Sequence, residues 1–262
     1  MDERFLDRMD SELSGWADPV SRLRQAIERN DFTLYCQPIL ALAGGGYPLG
    51  EVLVRLREEE NALLPPGDFL PVLEHYRMLP QLDRWVVRTT LNRLALGSRI
   101  PRFTVNVSGQ TLDDRDFPAF VAEHTATHKL APERLLFEID ENDALNRPQN
   151  ATAFAAACRK FGHGVLIDGF GRRAVSFSVI KGIAADYIKV DGSITRKILV
   201  SEVARNKMNA ILRVGETLGF AVFAECVEDQ DVLTRLKALG VGFAQGFGIY
   251  QPHPIDKFSG PP

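Results

Sequence analysis

Near its middle, the chain reads Gly164-Val-Leu-Ile-Asp-Gly-Phe-Gly-Arg-Arg173. The apolar run between glycine-containing turns predicts a short, buried β-strand that ends at Asp168. In a parallel α/β protein the loops that follow the strands form the rim of the ligand site, so this carboxylate is expected at that rim. A single carboxylate there suits one divalent cation. The next residue is Gly169, which has no side chain with which to bind a second.

Composition and charge narrow the class of protein. The chain has 262 residues, of which 45% are hydrophobic and 25% are charged, and this length suits one α/β barrel or two small domains. The formal net charge of -3 argues against binding to polymeric nucleic acid. A small anion can still be held by a local cluster of Arg and Lys.

The cysteines and the apolar runs indicate the compartment. Cys36, Cys158 and Cys226 are scattered, form no CxxC pair and are expected as packing residues in a reduced environment. No apolar run reaches membrane-spanning length, and the N-terminus is too charged for a signal peptide, so we expect a cytoplasmic domain. The histidines show no metal-ligand spacing and are expected at the surface or in loops: His75, His124, His128, His163 and His253.

Strand-like and helix-like segments alternate along most of the chain. Residues 1–22 are predicted to form an N-terminal helical leader that a helix at 23–29 follows, and residues 23–262 are predicted to form one barrel domain. The eight predicted strands are 32–40, 47–56, 102–107, 135–139, 164–168, 187–190, 220–225 and 242–247. Such a series implies an α/β fold, a closed (β/α)8 TIM-like barrel. The short span between the first two strands implies an antiparallel first strand.

Near the ends of successive predicted strands lies a polar residue that burial alone does not explain. These residues are Glu51, Asn106, Glu138, Asp168, Lys189, Glu225 and Gln245. The first four form an all-oxygen set, which suits Mg²⁺, Mn²⁺ or Ca²⁺ better than Zn²⁺. Lys189 can orient a water or meet a phosphate oxygen, and Glu225 can bind a second metal or act as a general base. The alternative, that each residue caps a loop or forms a rim salt bridge, does not predict seven at matching positions.

Ordered motifs cover nearly the whole chain, from about Leu23 to Pro254. They are Gln37-Pro38-Ile39, Glu51-Val52-Leu53-Val54-Arg55, Pro66 to Pro71, Asp83-Arg-Trp85, Asn106-Val-Ser108, Glu138-Ile-Asp-Glu141, Asp168-Gly-Phe-Gly171, Lys189-Val-Asp191, Ala224-Glu-Cys-Val-Glu228 and Gln245-Gly-Phe247. In this order they resemble the EAL domain family, which comprises cyclic-di-GMP phosphodiesterases and non-catalytic relatives. The resemblance implies the (β/α)8 fold with an antiparallel first strand, in agreement with the strand count.

The resemblance also implies a reaction and its metals. In such enzymes two divalent cations, roughly 3.5–4 Å apart, activate a water that opens one phosphodiester of cyclic-di-GMP to give linear pGpG. By resemblance, the first metal is bound by Glu51, Asn106, Glu138 and Asp168. The second is bound by Asp168, the residue at 169 and Glu225, while Lys189 helps to position the nucleophile.

Four more residues have roles in ligand binding by resemblance. Gln37 and Arg55 are expected to hold the dinucleotide, and Gln245 is expected to line the site. Glu141 is expected to anchor the loop that follows Asp168.

Two departures from the family pattern coincide at the second metal. Gly169 replaces the second Asp of Asp-Asp-Phe-Gly, so that metal loses an anionic ligand. The next loop, usually Thr-Gly-Tyr-Ser-Ser-Leu, is Arg172-Arg-Ala-Val-Ser-Phe177. Glu-Val-Leu for Glu-Ala-Leu leaves Glu51 intact, and Cys226 replaces a usual Gly. The chain is therefore identified as a degenerate member of the family, with one divalent cation possible and the second metal site impaired.

Two alternatives concern the residues around this gap. Asp140 stands where the family usually has Thr and shares a strand face with Glu138, so it can supply a substitute carboxylate. Alternatively, it caps a loop or pairs with Arg172 or Arg173. These two guanidiniums can partly replace the charge of the missing metal and favour binding over cleavage, or they are solvated charges on an exposed loop.

Three functions follow from these observations. The leading hypothesis is a receptor or regulatory module that binds cyclic-di-GMP with little or no hydrolysis. The second is an active or weakly active metal-dependent phosphodiesterase that gives pGpG and that Asp140 rescues. The third is a protein-interaction module that no longer binds nucleotide. By resemblance to the family, a homodimer would use the helix at 203–218 and the loop around 170–180, whereas a protein partner is expected to dock on the barrel helices.

Overall fold

β-Strands recur along the chain, and most of them are followed by a helix. The computed structural model describes residues 16, 18–57, 62–172, 177 and 182–260. In these ranges the strands are β1 (Phe32–Ala41), β2 (Leu49–Arg57), β3 (Leu63–Leu64), β4 (Arg102–Val107), β5 (Leu135–Asp140), β6 (Gly164–Phe170), β7 (Tyr187–Val190), β8 (Ala221–Ala224), β9 (Phe243–Ala244) and β10 (His253–Pro254).

Eight of these strands close into a barrel. Their order is β1-β9-β8-β7-β6-β5-β4-β2, and β2 pairs back with β1. β1 is antiparallel to both of its neighbours in the barrel, whereas the other pairings around the barrel are parallel. The two-residue strand β3 pairs with the end of β2, and the two-residue strand β10 pairs with Tyr35 and Cys36 in the middle of β1. The predicted (β/α)8 barrel with an antiparallel first strand is confirmed.

The helices in the described ranges lie between the strands or flank the barrel. They are α1 (Pro19–Arg29), α2 (Pro66–His75), α3 (Leu79–Ala95), α4 (Gly109–Leu112), α5 (Phe117–Thr127), α6 (Glu141–Asn146), α7 (Pro148–Lys160), α8 (Gly192–Thr195), α9 (Glu202–Leu218) and α10 (Gln230–Leu239). The short helices α4, α6 and α8 follow strands directly and were not predicted. Each begins after a residue whose side chain accepts a hydrogen bond from the first turn: Ser108, Asp140 and Asp191. No helix in the described part of the chain is both long and apolar enough to cross a membrane.

The helix α1 begins earlier than the predicted start at residue 23. Asp18 accepts a hydrogen bond from the backbone N–H of Ser21 at 3.0 Å, so its side chain caps the helix. Pro19 occupies the first helical position, where the N–H that proline lacks has no partner within the helix. Asp18-Pro19 is therefore a helix start and not the predicted break. Residues 1–15 and 17 of the predicted leader lie outside the described residues.

An apolar layer fills the lower half of the barrel interior, which is the half at the N-terminal ends of the parallel strands. The alternation of strand residues places these side chains inside the barrel. The layer consists of Ile39, Leu49, Leu136, Leu166 and Phe223, with Tyr187 and Phe243 packed against them. The larger apolar core lies between the outer faces of the strands and the helices. Because the interior is packed at this level, a ligand has access only to the level above it.

Two expectations about single residues need correction. His163 was expected at the surface or in a loop, but it is only 3% exposed, because its ring packs against Phe137 and its Nδ1 lies 2.8 Å from the carbonyl oxygen of Pro132. Cys226 was expected as a packing residue, but it is partly exposed, whereas Cys36 and Cys158 are buried.

Candidate functional site

Eight polar side chains lie directly above the apolar layer, and we call them the polar layer. They are Gln37, Glu51, Asn106, Glu138, Asp168, Lys189, Glu225 and Gln245. Each lies two positions from an inward-facing residue below it, as Glu51 does from Leu49 and Glu138 does from Leu136. The alternation of each strand therefore brings residues that are far apart in sequence to one level of the barrel. The sequence predicted seven of these residues from their strand ends, and Gln37 only from the resemblance.

The ammonium group of Lys189 is at the centre of the polar layer. Its Nζ lies 3.0 Å from Glu51 Oε2 and 3.7 Å from Asp168 Oδ1, and it also contacts Glu138 Oε2. Lys189 is only 2% exposed. Burial by itself opposes the charged ammonium, but the surrounding carboxylates, Asp168 first, raise the pKa of Lys189 well above its ordinary value.

A chain of amide hydrogen bonds connects Glu51 to Asn106 on one side and to Gln245 and Gln37 on the other. Asn106 Nδ2 donates to Glu51 Oε1 at 3.0 Å, and Gln245 Nε2 donates to Glu51 Oε2 at 2.8 Å. The same Gln245 nitrogen lies 3.0 Å from Gln37 Oε1, and Gln37 donates to the carbonyl oxygen of Tyr250 at 2.9 Å. Burial by itself raises the pKa of Glu51, but Lys189 and the hydrogen bonds from Asn106 and Gln245 lower it overall.

Several oxygen atoms of the polar layer are buried without a hydrogen-bond donor. They are Glu138 Oε1, Asp168 Oδ1 and Gln245 Oε1. Burial raises the pKa of Glu138 and of Asp168, because a buried carboxylate that is not fully compensated favours the proton. Burial, with the nearby charge of Asp168, also raises the pKa of Glu225, whose Oε1 accepts a bond from the N–H of Gly192 at 2.7 Å.

The donor chemistry of this layer fits one hard divalent cation. Its oxygen atoms are of the kind that Mg²⁺, Mn²⁺ and Ca²⁺ prefer, and two carboxylate oxygens lack a hydrogen-bond donor. In the described ranges, however, no group of three or more His, Cys, Asp or Glu side chains is arranged to hold a metal ion as it stands. Lys189 supplies the compensating positive charge in this arrangement.

A second positively charged group lies beside Gly169. The backbone of Gly169 is left-handed, with φ of 66°, and a Cβ atom built there would lie 2.6 Å from Nη2 of Arg172. Nε of Arg172 donates to Asp191 Oδ2 at 2.8 Å, and Nη1 lies 3.6 Å from Asp140 Oδ2. The guanidinium therefore occupies the volume that a side chain at position 169 would enter.

Asp140 is engaged at both of its carboxylate oxygens. Oδ1 accepts hydrogen bonds from the backbone N–H and the side-chain amide of Asn142, at 2.8 and 3.0 Å, and so caps α6. Oδ2 is the oxygen that faces Arg172. This is the arrangement of the second alternative from the sequence, in which Asp140 caps a turn and pairs with a loop arginine.

A pocket of about 190 Å³ opens beside the polar layer. Five of its lining residues were not predicted as site residues: Arg196, Cys226, Glu228, Gly246 and Phe247. Phe247 is 67% exposed, which is unusual for so large an apolar side chain. Arg196 Nη2 donates to Cys226 Sγ at 3.0 Å, and the guanidinium also faces Glu228. The exposure of Phe247 cannot be read from strand alternation, because Phe247 lies in the loop beyond β9.

The family follows from comparison of the whole chain. The profile of the EAL domain matches residues 20–252. The chain belongs to the EAL domain family. It is 30% identical over 258 residues to the cyclic di-GMP phosphodiesterase PdeF of Escherichia coli (strain K12), covering 97% of this chain and 34% of PdeF. It is 29% identical over 241 residues to the cyclic di-GMP phosphodiesterase PdeB of Shewanella oneidensis, covering 90% of this chain and 28% of PdeB. This EAL domain thus spans about a third of the length of these relatives.

Solved EAL domains share the barrel. The FimX EAL domain from Pseudomonas aeruginosa bound to c-di-GMP superposes with a TM-score of 0.85 at 26% identity, covering 90% of this chain and 96% of that one. The PaMucR phosphodiesterase in its c-di-GMP complex gives a TM-score of 0.84 at 26% identity, covering 91% and 98%. EAL phosphodiesterases depend on divalent metals in general, which is why the oxygen donors of the polar layer matter.

The remaining EAL residues predicted from the sequence lie near the rim. Glu141 Oε2 accepts a bond from the N–H of Gly171 at 3.2 Å and so holds the start of the loop after β6. Arg55 donates to the carbonyl oxygen of Val54 at 2.8 Å, and its guanidinium lies 5.8 Å from the ring centre of Tyr35. Arg173 lies outside the described residues.

The backbone of Cys226 accounts for the glycine that EAL domains usually have there. Its φ is 57°, in the left-handed region that glycine adopts most easily. A Cβ atom on Gly192 would lie 2.5 Å from Cys226 Sγ, so the thiol takes space that only a glycine at 192 leaves open.

Proposed function

We propose that this EAL domain binds cyclic-di-GMP as a receptor or regulatory module with little or no hydrolysis. The observation that carries the proposal is at position 169, where a glycine offers no ligand atom and the Arg172 guanidinium lies 2.6 Å from the place of a Cβ. Hydrolysis by two cations needs ligands for both, because the pair stabilises the attacking and the leaving oxygen together. The groups that would hold one cation and the nucleotide are retained.

The polar layer supports the binding half of this proposal. Glu51, Asn106, Glu138 and Asp168 would hold one divalent cation, which supplies positive charge to a phosphate oxygen when bound. Gln37 and Gln245 are fixed to each other by a hydrogen bond of 3.0 Å and line the adjacent pocket. Arg55 has the charge to pair with a phosphate, and the exposed ring of Phe247 offers a surface on which a base can stack.

The contacts of the polar layer also support the second half of the proposal, that hydrolysis is weak or absent. Lys189 and Glu225 are the residues that would serve catalysis in an active relative. Lys189 is buried among three carboxylates, and one oxygen of Glu225 is taken by the N–H of Gly192. With no carboxylate at 169, Asp168 and Glu225 remain as the only ligands that the sequence pattern provides for a second cation.

The competing enzyme hypothesis depends on Asp140 as a substitute ligand. Both of its oxygens already have partners, Asn142 on one side and Arg172 on the other. To bind a cation, Asp140 would have to release the cap of α6 or the ion pair with Arg172. These contacts favour the receptor over the rescued enzyme.

The test is a calorimetric titration of cyclic-di-GMP in Mg²⁺, in Mn²⁺, in Ca²⁺ and in EDTA, with chromatography of each sample for pGpG. We expect binding without product. Product formation at ordinary rates together with binding would contradict the proposal and identify a phosphodiesterase. Neither binding nor product would assign the domain to protein docking, for which the exposed Leu199, Val200 and Val203 at the start of α9 are the first surface to alter.

A matched pair of arginine variants makes the titration specific. Arg55→Ala removes the guanidinium at the rim, and we expect it to weaken nucleotide binding by about tenfold or more, as expected for loss of a charge-assisted phosphate contact. Arg235→Ala removes the same charge from α10, where the side chain is exposed, and should leave the affinity unchanged. Equal losses of affinity in Arg55→Ala and Arg235→Ala would show that the affinity depends on the net charge of the domain and not on a contact at the rim.

A further inference from the structure

The Arg172 guanidinium is held from two sides in the space above Gly169. Its Nε donates to Asp191 Oδ2 at 2.8 Å, and its Nη1 lies 3.6 Å from Asp140 Oδ2. The side chain of Asp191 is only 10% exposed, and Asp191 also caps α8 through Ser193. The loop residue is therefore tied to β5 and to the end of β7, on both sides of the strand that carries Asp168.

The space beside Gly169 holds the Arg172 guanidinium and has no room for a side chain at position 169 as well. A Cβ atom at 169 would lie 2.6 Å from Arg172 Nη2, 3.2 Å from its central carbon and 3.4 Å from Asp140 Oδ2. A carboxylate at 169 would thus enter the space of the guanidinium. The chain has a positive group where EAL phosphodiesterases of the Asp-Asp pattern have a metal ligand, so the residues present do not fit a second metal.

We propose that the Arg172 guanidinium is a fixed cation that takes the place of the second metal, so that the domain binds at most one divalent cation and presents Arg172 to a phosphate of the nucleotide. The limit of one divalent cation rests only on the geometry around Gly169. The phosphate contact rests on the proposed function. A guanidinium suits this role because its planar fork pairs with phosphate oxygens and it keeps its charge at every physiological pH.

The exposure of Arg172 agrees with a role toward a ligand. Its side chain is 46% exposed, although it is anchored by two carboxylates. Here one edge of the guanidinium is fixed by Asp191, while close to half of the side-chain surface faces solvent at the rim.

This arrangement changes how lost activity must be restored. Gly169→Asp alone places a carboxylate against Arg172, and the two charges neutralise each other as an ion pair. The new ligand is then unavailable to a metal. Only the double variant Gly169→Asp/Arg172→Ala supplies the ligand and removes the cation that blocks it.

The first arm of the test counts bound Mn²⁺ per chain by electron paramagnetic resonance, without nucleotide. We expect at most one Mn²⁺ in the wild-type domain, in Arg172→Ala and in Gly169→Asp, and one more in the double variant. Two Mn²⁺ in the wild-type domain, or an additional ion in Gly169→Asp alone, would overturn the proposal. Thermal unfolding of each variant establishes that the counted protein is folded.

The second arm measures cyclic-di-GMP affinity in EDTA, where the guanidinium acts without metal. Arg172→Gln should weaken binding by about tenfold or more, and Arg172→Lys by less, because the lysine keeps the charge but not the fork. Arg235→Gln is the matched control and should bind as the wild type does. Equal affinities of wild type and Arg172→Gln would overturn the phosphate contact. If even the wild type binds no nucleotide, the proposed function fails, and the Mn²⁺ count still decides whether Arg172 replaces the second metal.

Discussion

At the scale of single residues, the polar layer depends on the charge of Lys189. Three carboxylates approach this one ammonium group, and the layer is closed to solvent below by the apolar residues of the barrel. Removal of one partner from a buried ion cluster leaves charges without compensation, which destabilises a protein far more than loss of a surface pair does. Lys189 therefore stabilises the domain whether or not it also acts on a ligand.

Lys189→Met tests this role. We expect the free energy of unfolding at pH 7 to fall by about 3–5 kcal/mol, measured by urea denaturation, because three carboxylates lose their common counter-charge. Mg²⁺ should raise the melting temperature of this variant more than that of the wild type, since a divalent cation can compensate the same oxygens.

The control for this measurement is Lys237→Met, at an exposed position in the last turn of α10. It should cost no more than about 1 kcal/mol, the usual value of a lysine at a helix C-terminus. A loss of similar size in both variants would mean that the buried cluster contributes nothing beyond ordinary surface charge.

Single residues also mark the limit of what the sequence predicts. Strand alternation is local, so the sequence located Glu51, Glu138 and Asp168 at one rim. The position of Arg172 over Gly169 is set by carboxylates from two other strands, and no local pattern contains that information. The left-handed backbone of Cys226 is another such case, because only its neighbours in the folded chain require it.

At the scale of elements, the caps of the short helices hold the loops around the site. Asp140 caps α6 through Asn142, directly beside the polar layer. Asp140→Ala should lower the free energy of unfolding by about 1 kcal/mol, the usual loss for a helix cap, and Asp140→Asn by clearly less, because Asn caps a helix about as well as Asp does. Urea denaturation of both variants measures the difference.

The same two variants separate structure from catalysis. If Asp140 binds an essential metal, any pGpG formed by the wild type disappears in both variants, whatever their stability. The receptor hypothesis expects no turnover to begin with and only the difference in stability.

The helix α3 is linked to the turn after β4 through one buried carboxyl. Asp83 accepts hydrogen bonds from the backbone N–H and hydroxyl of Ser108 at 2.9 and 2.8 Å and from the hydroxyl of Thr111. Burial raises the pKa of Asp83 to about 6, although these bonds favour the carboxylate. The folded state thus takes up a proton at a higher pH than the unfolded chain does, so stability falls as the pH rises through this range.

Asp83→Asn removes this titration while keeping an acceptor oxygen for the same donors. Relative to the variant, the wild type should lose up to about 3 kcal/mol of unfolding free energy between pH 4 and pH 7, at 1.36 kcal/mol per unit of pKa. Urea denaturation at several pH values measures the difference. A difference between the two proteins that does not change with pH, or that changes in the opposite direction, would contradict a raised pKa.

Elements differ in how well the sequence predicts them. Strands β4 and β7 have the predicted bounds, because each is a strongly patterned segment between clear turn residues. The helix α1 was predicted to begin too late, since Asp18-Pro19 is equally consistent with a break and with a capped start. The short helices after the strands were missed because four to six residues are too few to show a helical period.

At the scale of the whole molecule, ligand binding and folding are linked. A nucleotide that binds only the folded barrel stabilises it by about 2.7 kcal/mol at a hundred times its Kd, which corresponds to a rise in Tm of about 5–10 °C for a chain of this size. We expect this shift with cyclic-di-GMP in the wild type and in Arg235→Ala, measured by scanning fluorimetry. A shift of equal size in Arg55→Ala at the same concentration would place the nucleotide away from the rim of the barrel.

One sulfur atom at the pocket offers a chemical handle. Cys36 and Cys158 are buried, and Cys226 is the partly exposed thiol beside Arg196 and Gly192. Burial raises the pKa of Cys226, which slows its alkylation by maleimide, a reaction that mass spectrometry can follow. Because Cys226 lines the pocket, we expect a bound ligand to slow the labelling of this sulfur. The rate at which maleimide labels Cys226 in the unmodified protein therefore reports how much of the pocket is occupied. A fluorescent dye attached to Cys226 would report binding of a small molecule in the pocket optically.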